Sequence, residues 1–207
     1  KHKPVRKYIN RAINYNLFAG PSPYSVFRIP TDRKRSVFVT FDELKQLINT
    51  QLDNAALARV KDLFLFAVFT GLSYADLRAL RRYHFVVMNQ ITWIKKRREK
   101  LADSEPETYI PVLGIALGIY NTYFAEADAL PVPSNQKFNA MLKEVGRLCG
   151  VKTVLTVHVA RHTTATLGIA SGMGIDSVKR VMGHASLRTT EIYSHTFNDY
   201  VAESFLK

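Results

Sequence analysis

The chain has 207 residues, which is enough for one domain with a complete hydrophobic core and part of a second domain. Hydrophobic residues make up 47% of the sequence and charged residues 22%, a balance that excludes an intrinsically disordered chain. Lys and Arg number 29 against 17 Asp and Glu, which gives a formal net charge of +12. Such an excess of cations favours a polyanionic partner, and nucleic acid is the commonest one.

Targeting and redox signals are few. The sequence contains neither a signal peptide nor an apolar run long enough to cross a bilayer. Cys149 is the single cysteine, so an internal disulfide is excluded and a reducing compartment is favoured. The chain begins KHKP without a Met, which predicts a fragment of a longer protein.

The first 35 residues are basic and are broken by Gly and Pro. Residues 1–15 have apolar positions at helical spacing and contain five Lys or Arg and no acid, which predicts a cationic helix. The stretch AGPSPYSVFRIP then ends the helix, and TDRKRS adds a second basic cluster in a predicted linker.

Helix signals become strong after residue 36. Thr40 and Glu43 form a capping-box pattern before the apolar-periodic LKQLI. A long helix is predicted over Ala55–Thr70 and should end at Gly71. The segment Ser73-Tyr-Ala-Asp76 has the pattern of a cap for a short helix, DLRAL.

A short sheet and further helices complete the predicted domain. HFVVM and ITWIKKRREK flank a turn at Asn89-Gln90, and YIPV follows an acidic loop, so a hairpin with a third strand is expected. Two core helices are predicted at GIALGIYNTYF and at Ser134–Cys149, followed by one beginning after Thr156, one over Ile175–Met182, and one or two more around position 193. The expected fold is mainly α with a small antiparallel β-sheet.

The most informative residues lie between positions 158 and 193. His158, Arg161 and His162 have spacing i, i+3 and i+4, which places two imidazoles and a guanidinium on one helix face. His184 follows a break at Gly183, and Tyr193 comes nine residues later. Guanidinium binds phosphate oxygens bidentately, and an ionised phenol is a covalent nucleophile, so this set suits the binding and attack of a phosphate.

This ordered set resembles the C-terminal signature of the tyrosine recombinases (the phage integrase family). The family motif is H-x-x-R, then Leu or Met before Gly-His, then the nucleophilic Tyr, and the matching residues are His158 with Arg161, His184 and Tyr193. The resemblance is towards the integrases of bacterial conjugative transposons. It implies a site-specific recombinase that integrates or excises a mobile element through a 3′-phosphotyrosyl intermediate, without cofactor, ATP or metal.

The resemblance also implies a role for each of these residues. Tyr193 is the expected nucleophile, and Arg161 is expected on the phosphoryl oxygens. His184 is expected to donate a further hydrogen bond, and His158 to accept the phenolic proton. His162 is expected to support its neighbours, and His195, with no match in the motif, is interpreted as an exposed residue.

The segment TGLSYADLRAL is similar to the T-G-x-R box of the family, whose Arg is one of two that grip the scissile phosphate. Here that position is Ser73, which carries no charge. We therefore expect another cation to compensate, with three candidates: Arg78, Arg97 and Arg98. Asp76 matches an acid that orients groups of the site in the family, and the competing interpretation is a helix cap.

The segment IKKRREK matches the hairpin on which the family carries a catalytic lysine. The usual R-x-K pattern gives Lys100 the protonation of the leaving 5′ oxygen, with Lys96 as the second choice. The cations Lys95, Lys96, Arg97 and Arg98 are expected to contact DNA. The competing interpretation is a row of solvated charges that protects a strand edge.

Domain organisation and partners follow from the same resemblance. Residues 1–35 are expected to be the end of a core-binding domain with its linker, or simply a solvated helix, and residues 36–207 the catalytic domain. The expected partner is double-stranded DNA, with a homo-tetramer on paired sites, exchange of the residues at 197–206 between subunits, no membrane and no small-molecule substrate. The expected location is the bacterial cytoplasm, at the nucleoid.

Two other functions are open at this stage. A DNA-binding module of the same fold with lost or weak catalysis would explain Ser73. A zinc enzyme would use His158 and His162 with Cys149 or His184, although Val159 stands where a metalloprotease motif needs Glu.

Overall fold

The computed structural model describes residues 2–27, 36–96, 107–183, 190, 191, 193 and 194. The chain divides into two compact units, Lys1–Lys34 and Arg35–Lys207. His184, Lys100, Arg97, Arg98 and His195, together with the segment at 197–206, lie outside the described residues.

Among its described residues, the first unit contains one helix and one turn. Helix α1 spans His2–Asn14, and a 3₁₀ turn at Pro23–Ser25 follows. Ser22 caps this turn by accepting a hydrogen bond from the Tyr24 amide, and its hydroxyl donates to Asn10 Oδ1 at 3.3 Å. The proline-rich stretch is thus held back against the helix that precedes it.

The second unit is built around helix α3, which spans Ala55–Thr70. Asn54 caps its start, and Gly71 ends it in the left-handed conformation with φ of 69°. Phe64 and Phe66 are fully buried, and α3 packs against three later helices because nearly its whole circumference is apolar. The remaining helices of the described chain are α2 (Phe41–Asn49), α4 (Tyr74–Ala79), α5 (Gly114–Phe124), α6 (Asn135–Leu148), α7 (Val157–Ala170) and α8 (Ile175–Met182).

The sheet has three antiparallel strands in the order β1-β2-β3, with bounds Phe85–Met88, Ile91–Lys96 and Thr108–Val112. Asn89 and Gln90 join the first two strands, and both have positive φ (50° and 62°), as a two-residue hairpin turn requires. Ile94 pairs with Ile110 and is buried. Since side chains alternate along a strand, Lys96 lies on the same face as Ile94, and Lys95 lies on the other.

Helix α7 is fixed in place from its N-terminal side. Glu43, in the capping box of α2, also accepts hydrogen bonds from the amides of Lys152 and Thr153 and from the Thr153 hydroxyl. Thr163 on α7 accepts from the Val39 amide at 2.9 Å. Helix α7 and the loop before it are therefore both tied to the segment around the start of α2.

The predicted fold class, a mainly helical domain with a small antiparallel sheet, is confirmed. Within the part of the chain that the structure describes, no helix is both long enough and apolar enough to span a membrane.

Candidate active site

Helix α7 presents three side chains of the predicted site on one face. Thr156 caps the helix by accepting a hydrogen bond from the Val159 amide at 3.1 Å. His158 is exposed, whereas Arg161 and His162 are half-buried. The predicted i, i+3, i+4 arrangement is therefore present, and its members differ in access to solvent.

The Arg161 guanidinium connects three segments of the predicted site. It donates to the Gly71 carbonyl at 2.5 Å and also to the Met182 carbonyl. Gly71 lies at the end of α3 and Met182 at the end of α8, so both acceptors belong to helix termini with unpaired carbonyl groups. One side chain thus joins the TGLS segment, the helix α7 and the segment before His184.

Tyr193 reaches α7 within the same chain. Tyr193 is helical and only 5% exposed, and it packs with Ala165, Val178 and Met182 in a small apolar cluster. Burial raises the pKa of the Tyr193 phenol, and the nearby positive charge of Arg161 offsets part of that rise. The guanidinium is thus close enough to favour the ionised phenol.

The phenolic oxygen of Tyr193 lies 2.8 Å from Nδ1 of His162. The ring centroids of His162 and His158 are 4.1 Å apart, with an interplanar angle of 69°. The family resemblance predicts that His158 accepts the proton and that His162 supports it, yet the hydroxyl contact is made by His162. The i, i+4 spacing indicated that both rings share a face, but it did not indicate which ring the tyrosine meets.

Ser73 and Asp76 form a closed hydrogen-bonded pair at the start of α4. The Ser73 hydroxyl donates to Asp76 Oδ2 at 2.7 Å and accepts from the Asp76 amide at 3.3 Å. Lys96, at the end of β2, forms an ion pair with the same Oδ2. Burial alone would raise the pKa of Asp76, but the charge and hydrogen bond of Lys96 and the hydrogen bonds from Ser73 outweigh it and lower the pKa.

The other predicted site residues are less closely connected to this centre. Lys95 forms a salt bridge with Glu107 at 3.0 Å, across the sheet. Arg78 is exposed on α4. Among the described residues, no three His, Cys, Asp or Glu side chains converge in a way that would hold a metal ion.

Comparison with known proteins identifies the class to which this arrangement belongs. Residues 37–199 match the model of the phage integrase family. Because this match covers most of the sequence, the chain belongs to the phage integrase family, and the predicted family is confirmed.

Individual relatives are tyrosine recombinases. The chain is 35% identical over 66 residues to the tyrosine recombinase XerA of Saccharolobus solfataricus, a match covering 32% of this chain and 22% of the relative. It is 23% identical over 223 residues to the tyrosine recombinase XerD of Staphylococcus aureus, covering 98% of this chain and 75% of the relative. The chain therefore spans about a fifth of the first relative and three quarters of the second.

Solved structures share the fold. The Tn1549 transposon integrase in complex with transposon right end DNA superposes with a TM-score of 0.67 at 19% identity, covering 96% of this chain and 75% of that one. The XerA recombinase superposes with a TM-score of 0.64 at 20% identity, covering 100% of this chain and 82% of that one.

Proposed function

We propose that this chain is the DNA-cleaving part of a site-specific recombinase or integrase, which breaks and rejoins double-stranded DNA through a phosphotyrosyl bond at Tyr193. The observation that carries the proposal is the meeting of Tyr193 with the face of α7 that bears Arg161 and His162. The named relatives are tyrosine recombinases, and the Tn1549 integrase structure is a DNA complex, which supports the same activity.

In the proposed cleavage step, Tyr193 Oη attacks the scissile phosphorus and forms a new oxygen–phosphorus bond. The bond from phosphorus to the 5′ oxygen of the DNA breaks, which leaves the protein joined to the 3′ phosphate. The 5′ oxygen leaves with a proton that we assign to Lys100. A 5′ hydroxyl of another strand reverses the step, so the phosphodiester energy is retained and no cofactor is consumed.

Arg161 is the proposed donor to the non-bridging phosphoryl oxygens. Its guanidinium carries five N–H groups, and the carbonyls of Gly71 and Met182 fix its plane. Charge on the phosphoryl oxygens grows in the transition state, so an oriented cation contributes there most strongly. His184 is proposed as a further donor to the same oxygens.

For the phenolic proton we propose His162 as the acceptor, because its Nδ1 lies at hydrogen-bonding distance from Tyr193 Oη. With the proton of the neutral imidazole on Nε2, Nδ1 accepts a hydrogen bond from the phenol and takes its proton as the attack proceeds. His158, whose ring contacts that of His162, remains the second candidate.

The activity is tested with duplexes that carry a nick near a randomised sequence, so that a cleaved strand diffuses away and the protein stays attached. We expect an adduct that resists denaturing detergent, and mass spectrometry should find the phosphate on Tyr193. Tyr193→Phe should form no adduct, whereas Tyr74→Phe, which loses a hydroxyl hydrogen bond to the Pro133 carbonyl, should form it normally. An adduct on a different residue would contradict the proposal.

The proton acceptor is tested with His162→Ala and His158→Ala on the duplex recovered from that pool. We expect a loss of ~10²-fold or more in adduct formation for His162→Ala, and a smaller loss for His158→Ala. Added imidazole should restore part of the His162→Ala rate, which a merely structural defect would not allow. A larger loss for His158→Ala, restored in part by imidazole, would return the role to His158, and equal losses without rescue would contradict the assignment to His162.

The second candidate function is a DNA-binding module without catalysis, and the uncharged Ser73 is the observation that favours it. The same nicked duplexes discriminate between the two functions. A binding module shifts their mobility in a native gel, but it leaves no adduct under denaturing conditions.

The wider assembly belongs to the same proposal. We propose that residues 1–35 end a core-binding domain, that residues 36–207 form the catalytic domain, and that four copies act on paired DNA sites at the nucleoid in a bacterial cytoplasm. Cations on the hairpin, Lys95 and Lys96 among the described ones, would then contact the DNA backbone. Crosslinking on duplexes with one and with two sites would count the copies.

A further inference from the structure

The position of Ser73 lacks a charge that the proposed reaction needs. Ser73 occupies the place of a phosphate-binding Arg, and its hydroxyl is engaged at the start of α4, where it donates to Asp76 Oδ2 and accepts from the Asp76 amide. The hydroxyl has a single proton, and that proton is used. Ser73 in this arrangement therefore has no donor left for a phosphate.

A cation from another element reaches this position. Lys96 is the last residue of β2, and its ammonium pairs with the same Asp76 Oδ2 that binds Ser73. Strand alternation explains the contact, because Lys96 shares the inward face of Ile94 while Lys95 points to the other side and pairs with Glu107. Of these two lysines, the position of Lys96 in the strand therefore directs it to the Ser73–Asp76 pair at the start of α4.

The geometry keeps this ammonium oriented and reachable. Asp76 receives hydrogen bonds from the Ser73 amide and hydroxyl, so its carboxylate is fixed before it binds the lysine. An ammonium has three N–H donors, and a contact with one carboxylate oxygen uses one of them. The Lys96 side chain is 29% exposed, which leaves it accessible to a phosphate group.

The ammonium and the Arg161 guanidinium border the same short segment. Arg161 donates to the carbonyl of Gly71, and Ser73 follows two residues later. Ser73 binds Asp76, and Asp76 in turn binds Lys96. We propose that Lys96, positioned by Asp76, supplies the second cation for the non-bridging oxygens of the scissile phosphate, in place of the arginine absent at position 73. This inference rests on the proposed cleavage activity, and it gives Lys96 a different role from protonation of the leaving oxygen.

The test uses three versions of the duplex recovered in the trapping experiment. The first has a normal scissile phosphate, and the second has a methylphosphonate, whose methyl group replaces one charged oxygen. The third has sulfur as the bridging 5′ atom, a leaving group that needs no proton. The variants are Lys96→Met, which keeps the length of the side chain, Lys96→Arg, which keeps the charge, and the double variant with Lys96→Met and Ser73→Arg.

We expect Lys96→Met to form adduct ~10²-fold more slowly than wild type on the normal phosphate. The defect should shrink towards unity on the methylphosphonate and persist on the sulfur duplex. Lys96→Arg should retain most of the activity, and Ser73→Arg should recover ~10-fold or more in the Lys96→Met background, since it restores a cation at the same place. Lys143→Met, an exposed lysine on α6, serves as the control and should leave all three rates unchanged.

Two results would overturn the inference. If sulfur restores Lys96→Met while the methylphosphonate does not, Lys96 protonates the leaving oxygen instead. If Lys96→Met matches wild type on every duplex, the cation comes from elsewhere. Absence of any wild-type adduct would instead reject the cleavage activity itself, so the two failures are distinguishable. Thermal unfolding of each variant identifies any that lose activity by losing the fold.

Discussion

Replacement of Gly71 by Ala should damage the fold and the active site together. Gly71 has φ of 69°, and a left-handed conformation costs a residue with a Cβ about 1–2 kcal/mol. The new methyl group would lie 3.2 Å from Met182 Sδ and 3.2 Å from Thr164 Cγ2. The methionine chain is able to rotate away, but Thr164 belongs to α7 and is hydrogen-bonded to the Val68 carbonyl, so α3 and α7 would have to separate slightly.

The two effects add. Overpacking in a filled interior costs about 1–3 kcal/mol, so the loss in free energy of unfolding should be about 2–5 kcal/mol when combined with the backbone term. For a chain of this size each kcal/mol lowers Tm by about 2–4 °C. Because the Gly71 carbonyl accepts from Arg161, adduct formation should also fall at temperatures where the variant is still folded.

Urea unfolding and the trapping assay, run on the same preparation, check this prediction. Gly118→Ala is the matched control, because Gly118 lies on the exposed side of α5 and an added Cβ meets no atom within 4 Å. That change should leave stability equal or raise it by up to about 1 kcal/mol. Equal unfolding midpoints for the Gly71 variant and wild type would refute the close approach of the α3 terminus to α7 and α8.

Three further outcomes follow from single side chains. Glu43→Gln should lower stability at neutral pH but much less at acid pH. Burial alone would raise the pKa of Glu43, but hydrogen bonds from Thr40, Thr153 and Lys152 outweigh it and lower the pKa. The contribution of Glu43 to stability is therefore present above its unfolded-state pKa and is lost as the pH falls through its folded-state pKa, which urea midpoints at several pH values measure. Thr166→Val should stabilise the domain by about 1 kcal/mol in thermal unfolding, since the Thr166 hydroxyl is buried and has no hydrogen-bond partner among the residues that the structure describes. A loss of stability would contradict this prediction. Cys149 should react slowly with a thiol reagent in the folded protein and rapidly in urea, because burial raises the pKa of its thiol, and equal rates in both would contradict the burial.

Features that depend on neighbours in sequence were predictable. Helix α3 spans Ala55–Thr70 and ends at a left-handed Gly, as its sequence pattern predicts. The hairpin forms at Asn89-Gln90 because its turn needs positive φ at both residues, and Asn adopts that conformation more readily than most residue types. The face of α7 with two His and one Arg follows from helical periodicity alone.

Contacts between distant segments were not predictable to the same degree. Which imidazole meets Tyr193 depends on the path of the chain between α8 and position 193, and helical periodicity carries no information on that path. From the sequence, the compensating cation is expected to be one of three arginines: Arg78, Arg97 or Arg98. Lys96 meets Asp76 only because the register of β2 against β3 turns it inward, and a shift of one residue would have presented Lys95 instead.

This dependence on register bears on how a recombinase of this family tolerates a serine where an arginine is expected. Electrostatic stabilisation of a phosphate depends on its distance from the positive charge, and it does not depend on which helix or strand carries that charge. Asp76 makes the replacement of the arginine by a lysine from the sheet feasible. Its carboxylate accepts a hydrogen bond from Ser73 and is thereby oriented to hold the Lys96 ammonium. Loss of charge at position 73 is then compatible with catalysis as long as Asp76 and the inward register of β2 are both retained.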